Sequence, residues 1–203
     1  TDAPVSAYSI YPYGGADTFY PTATLLLPVQ SWTQNYVAVS PSEFGNLDKR
    51  RSLQIIANED DTEVKILPTA EIAAGGGVAG ATAGVTQTWK LSKGEGLQFF
   101  QRSITGSPIE TSKPVGVFGG AECTQLPTVD YCDILQQQIP PFEHWGTEYA
   151  VVPFKPRPLS PSPDIRERVP YSIVGAVDGT KLTYEPSRPR DAPETLDAGQ
   201  VVS

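Results

Sequence analysis

The residues in this sequence best suited to chemistry are carboxylates close to a single histidine. His144, the one His of the chain, has Glu143 and Glu148 beside it, and Glu122, Asp130 and Asp133 lie around the two cysteines, Cys123 and Cys132. Such groups could move protons by general acid–base catalysis, which requires two of them held opposite one another at a defined distance. A second set, Asn58-Glu59-Asp60-Asp61-Thr62, puts three carboxylates in a row, and hard cations such as calcium take convergent oxygens. Neither set comes with a spacing that fixes a reaction. There is no G-x-S-x-G, no H-E-x-x-H and no P-loop, and Gly119-Gly120 and Gly94-x-Gly96 read as strand-to-turn glycines. The expectation is a chain with no catalytic residues, no cofactor and no metal site.

The elements that would have to position these groups point the same way, because the chain states its landmarks twice. Pro4-Val5-Ser6-Ala7-Tyr8 leads through Leu27-Pro28 to Trp32 and Tyr36-Val37-Ala38-Val39. Pro114-Val115-Gly116-Val117-Phe118 leads through Ile139-Pro140 to Trp145 and Tyr149-Ala150-Val151-Val152. The echo continues from Leu53-Gln54-Ile55-Ile56-Ala57 and Asp60-Asp61-Thr62 to Tyr171-Ser172-Ile173-Val174-Gly175 and Asp178-Gly179-Thr180. Internal repetition of this kind implies duplicated structural units. The acidic run keeps one acid in its second copy, which favours turn chemistry over a metal site. Trp32, Tyr36, Trp145 and Tyr149 could stack sugars on an open face. Their recurrence beside a Val-rich strand favours service as core anchors of each unit.

Composition bounds the class. The chain has 203 residues, 39% of them hydrophobic, enough to build a core, and its 20 Pro and 18 Gly break any long helical period. The fold class expected is all-β: two tandem, related β-sandwich-like units near residues 4–113 and 114–203. The second breaks off within the pattern at Val201-Val202-Ser203, so the chain reads as a piece of a longer polypeptide with further domains. A formal charge of −8 argues against a nucleic-acid partner, which needs a basic face. No apolar run approaches the ~18–20 residues of a membrane helix, so no membrane insertion by this segment is expected. Cys123 and Cys132 are spaced to close a short disulfide loop, worth ~2–3 kcal/mol in the chain-entropy model and durable in oxidising compartments. Two buried thiols are the alternative.

Strands are expected at Val5–Ile10, Thr24–Leu27, Tyr36–Val39, Thr86–Leu91, Gly96–Gln101 and Val115–Phe118. Leu53–Ala57 and Thr62–Leu67 have the pattern of a hairpin turning at Asn58–Asp61. Asp133–Gln138 is the only segment with the character of a helical turn. Ala70–Gly84, with Gly75-Gly76-Gly77, lacks periodicity and predicts a loose loop. Phe154–Pro170, with five prolines, predicts an extended, partly polyproline segment.

Two segments carry a resemblance. At Ile109-Glu110-Thr111-Ser112-Lys113-Pro114-Val115-Gly116-Val117-Phe118-Gly119-Gly120, and at Gln138-Ile139-Pro140-Pro141-x-x-x-Trp145-Gly146, the chain resembles the N-terminal domain of IgGFc-binding proteins. Ala7-Tyr8-Ser9, Ala23 to Pro28 and Asp61-Thr62 extend it over nearly the whole chain. The acidic, Met-free, Pro-rich character is similar to bacterial members, notably myxobacterial ones. The resemblance implies a secreted or cell-surface, non-catalytic domain, with Fc binding attributed to the animal proteins. Members often carry Cys-Asp-His where this chain has Cys132-Asp133-Ile134, so no role for that His carries over.

The function expected is extracellular binding or adhesion to a protein or glycan, with a structural spacer or a carbohydrate-active domain as alternatives. Contacts are expected in the unrepeated loops Tyr11–Tyr20, Ala70–Gly84, Cys123–Cys132 and Pro156–Arg168, with Tyr11, Tyr13, Tyr20, Asp130 and Tyr131 as the side chains best suited to a partner.

Overall fold

A computed structural model of the chain describes residues 1–11, 22–41, 50–124, 133–152, 158–159, 162–166 and 171–202. The protein is all-β. Strands β1 (Ala7–Tyr11), β2 (Thr22–Leu26), β3 (Asn35–Val37), β4 (Arg51–Ala57), β5 (Thr62–Ile66), β6 (Gln87–Leu91), β7 (Gly96–Gln101), β8 (Pro108–Thr111), β9 (Val115–Thr124) and β10 (Asp133–Ile139) form the larger part. Short strands follow: β11 (Pro158–Leu159), β12 (Ser162–Arg166), β13 (Ile173–Val174), β14 (Thr180–Lys181), β15 (Thr195–Leu196) and β16 (Val201–Val202). Among the described residues no helix is long and apolar enough to cross a membrane.

Two four-stranded antiparallel sheets, in the orders β10-β9-β4-β7 and β3-β8-β5-β6, enclose the core. Strand alternation dictates which residues enter it. In β5, Thr62, Val64 and Ile66 are buried while Glu63 and Lys65 face water, and β7 buries Leu97 and Phe99 in the same way. The cluster joins Tyr36, Leu53, Ile55, Val64, Ile66, Trp89, Leu97, Phe99, Ile109, Val115 and Val117 from both sheets. Trp89 and Phe99 meet across it with ring centroids 5.4 Å apart. Each such side chain contributes about 1.5–3 kcal/mol on burial.

Three expectations are revised. β4 and β5 are not a hairpin: β4 pairs with β7 and β9, β5 with β6 and β8, and Asn58–Asp61 carries the chain from one sheet to the other. Alternation reports which face of a strand is buried and is silent on which neighbour it pairs with. Asp133–Gln138 is a strand, because β9 offers it a ladder and its glutamines find partners. Gln136 Nε2 donates to Gln54 Oε1 at 3.0 Å, and the Gln138 N–H donates to Thr24 Oγ1 at 3.0 Å. Ladder bonds and satisfied side chains outweigh weak β propensity.

Ala70–Gly84 is not a loose loop. It folds into a narrow arm through bridges at Ile72↔Ala81 and Gly75↔Val78, with Gly76 and Gly77 at positive φ in its tip. Ile72, only 2% exposed, plugs into the main core, and Trp89 Nε1 donates to Ala79 O at 3.0 Å. Gly80 is required, since a Cβ there would come within 2.5 Å of Ile72 O. One apolar residue among small ones thus anchors a segment that composition alone marks as unstructured.

β9 and β10 follow Pro114 in sequence, yet they lie in the first sheet, with β9 paired to all seven residues of β4 from Arg51↔Ala121 to Ala57↔Val115. The hairpin β1–β2 has the same internal register as β9–β10: Ala7↔Leu26, Tyr8↔Leu25 and Ser9↔Thr24 stand where Val117↔Ile139, Phe118↔Gln138 and Gly119↔Gln137 stand.

Local hydrogen bonds recur as well. Trp32 Nε1 donates to Leu27 O and Trp145 Nε1 to Pro140 O, each at 3.2 Å. Thr62 Oγ1 donates to Glu59 O at 2.7 Å and Thr180 Oγ1 to Val177 O at 2.6 Å. The Lys93 N–H donates to Asp60 Oδ1 and the Ala198 N–H to Asp178 Oδ1, each at 2.9 Å. Asp61 and Gly179 both adopt positive φ, as do Gly94 and Gly199. In the Phe154–Pro170 segment, β11 pairs with β12. Cys123 is half-buried just before the last residue of β9, and no cysteine among the described residues is free. Cys132, its expected disulfide partner, lies outside the described residues.

Candidate binding surface

Two of the groups that could have done chemistry, Glu143 and Glu122, are engaged by the fold. Glu143 lies in a 3-10 turn, Phe142–His144, and reaches back to β3 and its entry. Thr33 Oγ1 donates to its Oε2 at 2.8 Å and Asn35 Nδ2 to its Oε1 at 2.7 Å. Partial burial pushes the Glu143 carboxyl up. Hydrogen bonds from Asn35, its own backbone N–H and Thr33, with His144 close by, outweigh that and hold its pKa below the ordinary range. The carboxylate acts as a clasp between sequence-distant segments. Glu122 pairs with Arg50 at 2.7 Å.

The acidic turn is equally committed. Asp60 Oδ1 caps the Lys93 N–H, and the Asp60 carbonyl accepts from Lys113 Nζ at 2.5 Å. Asp61 meets Lys90 at 2.8 Å, a hydrogen-bonded pair that lowers the carboxyl pKa and raises that of the ammonium. The two carboxylates bond outward to different partners rather than converging on one point.

The four aromatic anchors divide. Tyr36 is 3% exposed. Its Oη accepts from the Thr33 N–H at 3.2 Å and donates to Val115 O at 2.6 Å. Burial raises its pKa, the Thr33 hydrogen bond opposes this, and the Glu143 charge adds to the rise. Trp32 is half-buried, its ring lying over Gly116 of β9 so closely that a Cβ there would come within 2.7 Å of Cζ2. Trp145 is also half-buried and meets Phe142 edge-on at 5.7 Å. Tyr149 is 71% exposed, although its Oη accepts from the Gly146 N–H at 2.8 Å just as Tyr36 accepts from Thr33. Sequence reasoning identified Trp32 without the glycine its ring covers. The available signal was Gly116 itself, a glycine inside a valine-rich strand, which marks close approach of another group.

One end of the sandwich gathers the flanks of several unrepeated segments. Arg51, at the start of β4, pairs with Gln101 at the end of β7 and with Ala121 of β9, while Thr124 pairs with Asp133. Arg51 Nε donates to Pro41 O at 2.8 Å, and the Ser40 N–H donates to Thr105 Oγ1 at 2.9 Å. The Ala73 N–H of the Ala70–Gly84 arm donates to Gln101 Oε1 at 3.1 Å. The described flanks of segments 42–49 and 125–132, together with the arm, therefore stand at the same end. The opposite end holds the tightly bonded turns at Asp60 and Lys93. Of the tyrosines and acid expected at a partner, Tyr11 is exposed at the end of β1, and Tyr13, Tyr20, Asp130 and Tyr131 lie outside the described residues. So do parts of the loops expected to carry them, Tyr11–Tyr20, Cys123–Cys132 and Pro156–Arg168.

Comparison with known proteins gives a consistent result. A family model described as IgGFc binding protein matches residues 22–203. A human relative, IgGFc-binding protein, is 33% identical over 81 residues, which is 40% of this chain and 1% of that protein. The match therefore covers only a small part of that relative's length. No solved structure matches the chain.

Proposed function

The chain belongs to the IgGFc-binding protein family, and on that premise we propose that it is an extracellular, non-catalytic binding and adhesion module of a larger secreted or surface protein. It carries two related units, near residues 4–113 and 114–203, with the opening hairpin of the second supplying two strands to the sheet of the first. The observation that carries the reading is the division of the sandwich. Acids and turns common to both halves are consumed by hydrogen bonds at one end, while unshared segments leave from the other. Loops on a rigid scaffold can change without unfolding it, which suits recognition of a protein or glycan. A Cys123–Cys132 disulfide would brace one of these segments and fits an oxidising location.

The test is retention of the purified chain on immobilised immunoglobulin Fc and on a glycan array, alongside a variant whose arm tip, Gly75–Val78, is replaced by four serines. Retention that falls with the variant supports recognition through the loop end. Absence of retention on both surfaces leaves a spacer and removes the proposal.

A further inference from the structure

β7 ends the sheet β10-β9-β4-β7, and among the described residues its outer edge has no partner strand. It pairs with β4 alone, from Arg51↔Gln101 to Ile56↔Gly96, without a shift of register. The Ala57 N–H donates to Glu95 O at 3.0 Å, which fixes the phase of the ladder. Ile55↔Leu97, Leu53↔Phe99 and Arg51↔Gln101 are the pairs that exchange hydrogen bonds, so the N–H and C=O groups of Gly96, Gln98 and Phe100 turn away from β4. All three residues are exposed and lie inside the described stretch 50–124. β7 also lacks the devices by which edge strands avoid pairing, since it holds no charge, no proline and no bulge.

The solvent face of this edge is complementary to itself. Gly96 and Phe100 stand two residues to either side of Gln98, and Phe100 is 43% exposed. Gly96 leaves a hollow beside Ile56, which is 37% exposed. Beyond the chain neighbours of Gly96, only Ile55 O comes within 4 Å of where a Cβ would stand, at 3.2 Å. The hollow belongs to an open depression lined by Gln54, Ile56, Gln98 and Phe118. On the other side of Ile56 in the same row stands Gly116, and there the indole of Trp32 fills the space. The Gly96 hollow has no ring over it.

We propose that β7 is a self-association edge: two copies of this chain pair antiparallel through β7 about a two-fold axis at Gln98, joining their sheets into one. Gln98 then faces Gln98 of the second copy, and Gly96 of each faces Phe100 of the other. The N–H and C=O groups that turn away from β4 are the ones these three pairs use. Each Phe100 ring enters the other copy's hollow over Gly96, against Ile56, as Trp32 covers Gly116. Moving the axis to Leu97 or Phe99 would set Phe100 against Gly94 or Gln98 and leave no ring over Gly96, so the side chains select one register. At each end Arg102, exposed and in no ion pair among the described residues, comes level with the Lys93–Glu95 turn of the other copy, within reach of the Glu95 carboxylate. Because β7 itself is uncharged, two copies of a chain with net charge −8 meet there with little repulsion across the strands. A contact of this kind uses the same patch on both copies and closes on itself as a dimer. It is independent of the two-unit reading and of recognition through the loop end.

Sedimentation velocity of the purified chain over a concentration series should show a monomer–dimer equilibrium. Gln98→Pro removes an N–H that β4 does not use, a position where an edge strand tolerates proline, and should raise the dissociation constant at least tenfold. Phe100→Lys, a change at an exposed side chain, should do the same, and far-UV circular dichroism should be unchanged in both variants. Cysteines then read the register. Gln98→Cys should give a disulfide-linked dimer on mild oxidation, because residues facing each other in a hydrogen-bonded pair have Cα atoms about 5.5 Å apart, within the span a disulfide bridges. Phe100→Cys alone should stay unlinked, and mixed with Gly96→Cys it should link to that variant. A monomer at every concentration overturns the proposal, as does a dimer that either folded variant leaves unchanged. Linking of Phe100→Cys to itself as fast as Gln98→Cys overturns the stated register and the pairing built on it.

Discussion

The Tyr36 hydroxyl donates to the Val115 carbonyl at 2.6 Å and ties β3 to the first residue of β9. Tyr36→Phe keeps the ring in the core and leaves the Val115 carbonyl and the Thr33 N–H without this partner. Unfolding by urea should show a loss of about 1–2 kcal/mol, with far-UV circular dichroism unchanged.

The same hydroxyl sets an alkaline limit. Its folded pKa is raised, chiefly by burial, so its contribution is complete below the unfolded value of about 10 and is lost as pH rises through the folded value. Wild type should lose stability above about pH 10 more steeply than Tyr36→Phe, as followed by denaturation midpoints.

Glu143 sets a limit on the acid side. Its folded pKa is lowered, so the clasp is intact above the unfolded value of about 4.3 and opens as pH falls through the folded value. An NMR titration of the Glu143 carboxyl should give a midpoint below that of a free glutamate. Asn35→Ala with Thr33→Ala should move it upward. A midpoint indifferent to both changes would dissociate the clasp from the shift.

Gly116 and Trp32 form a size-matched pair. Gly116→Ala places a Cβ against the indole and should cost about 1–3 kcal/mol through overpacking. Added to Trp32→Ala, the same change should cost far less, which a double-mutant cycle measures.

Ile72 holds the Ala70–Gly84 arm to the core. Ile72→Ala should cost about 2–5 kcal/mol and should make the arm sensitive to limited proteolysis before the sheets unfold. Equal sensitivity of wild type and variant would show that the arm is not anchored there.

Alternation along Val64, Ile66, Leu97 and Phe99 was enough to read strands, and the paired landmarks around Trp32 and Trp145 marked the recurring turns. Pairing was not legible in the same way. The period of two in β4 and β5 is the same whether they are neighbours or face each other across the core, and only the ladder from β4 to β9 decides it. Ile72 was hidden because one apolar residue has no period. The Glu143 clasp was hidden because its partners, Thr33 and Asn35, are remote in sequence and become neighbours only when Phe142–His144 turns against β3. The unrepeated segments were legible in the sequence, whereas the placing of the flanks of 42–49 and 125–132 at one end depends on where Arg51, Gln101 and Thr124 lie in the sheet.

The lodging of β9 against β4 changes what the Lys113–Pro114 step means mechanically. A cut there would leave the two halves of the polypeptide stitched by a seven-residue ladder. Separating them would require breaking that ladder. The joint between the segments before and after Pro114 thus has the strength of a sheet as well as that of a peptide bond.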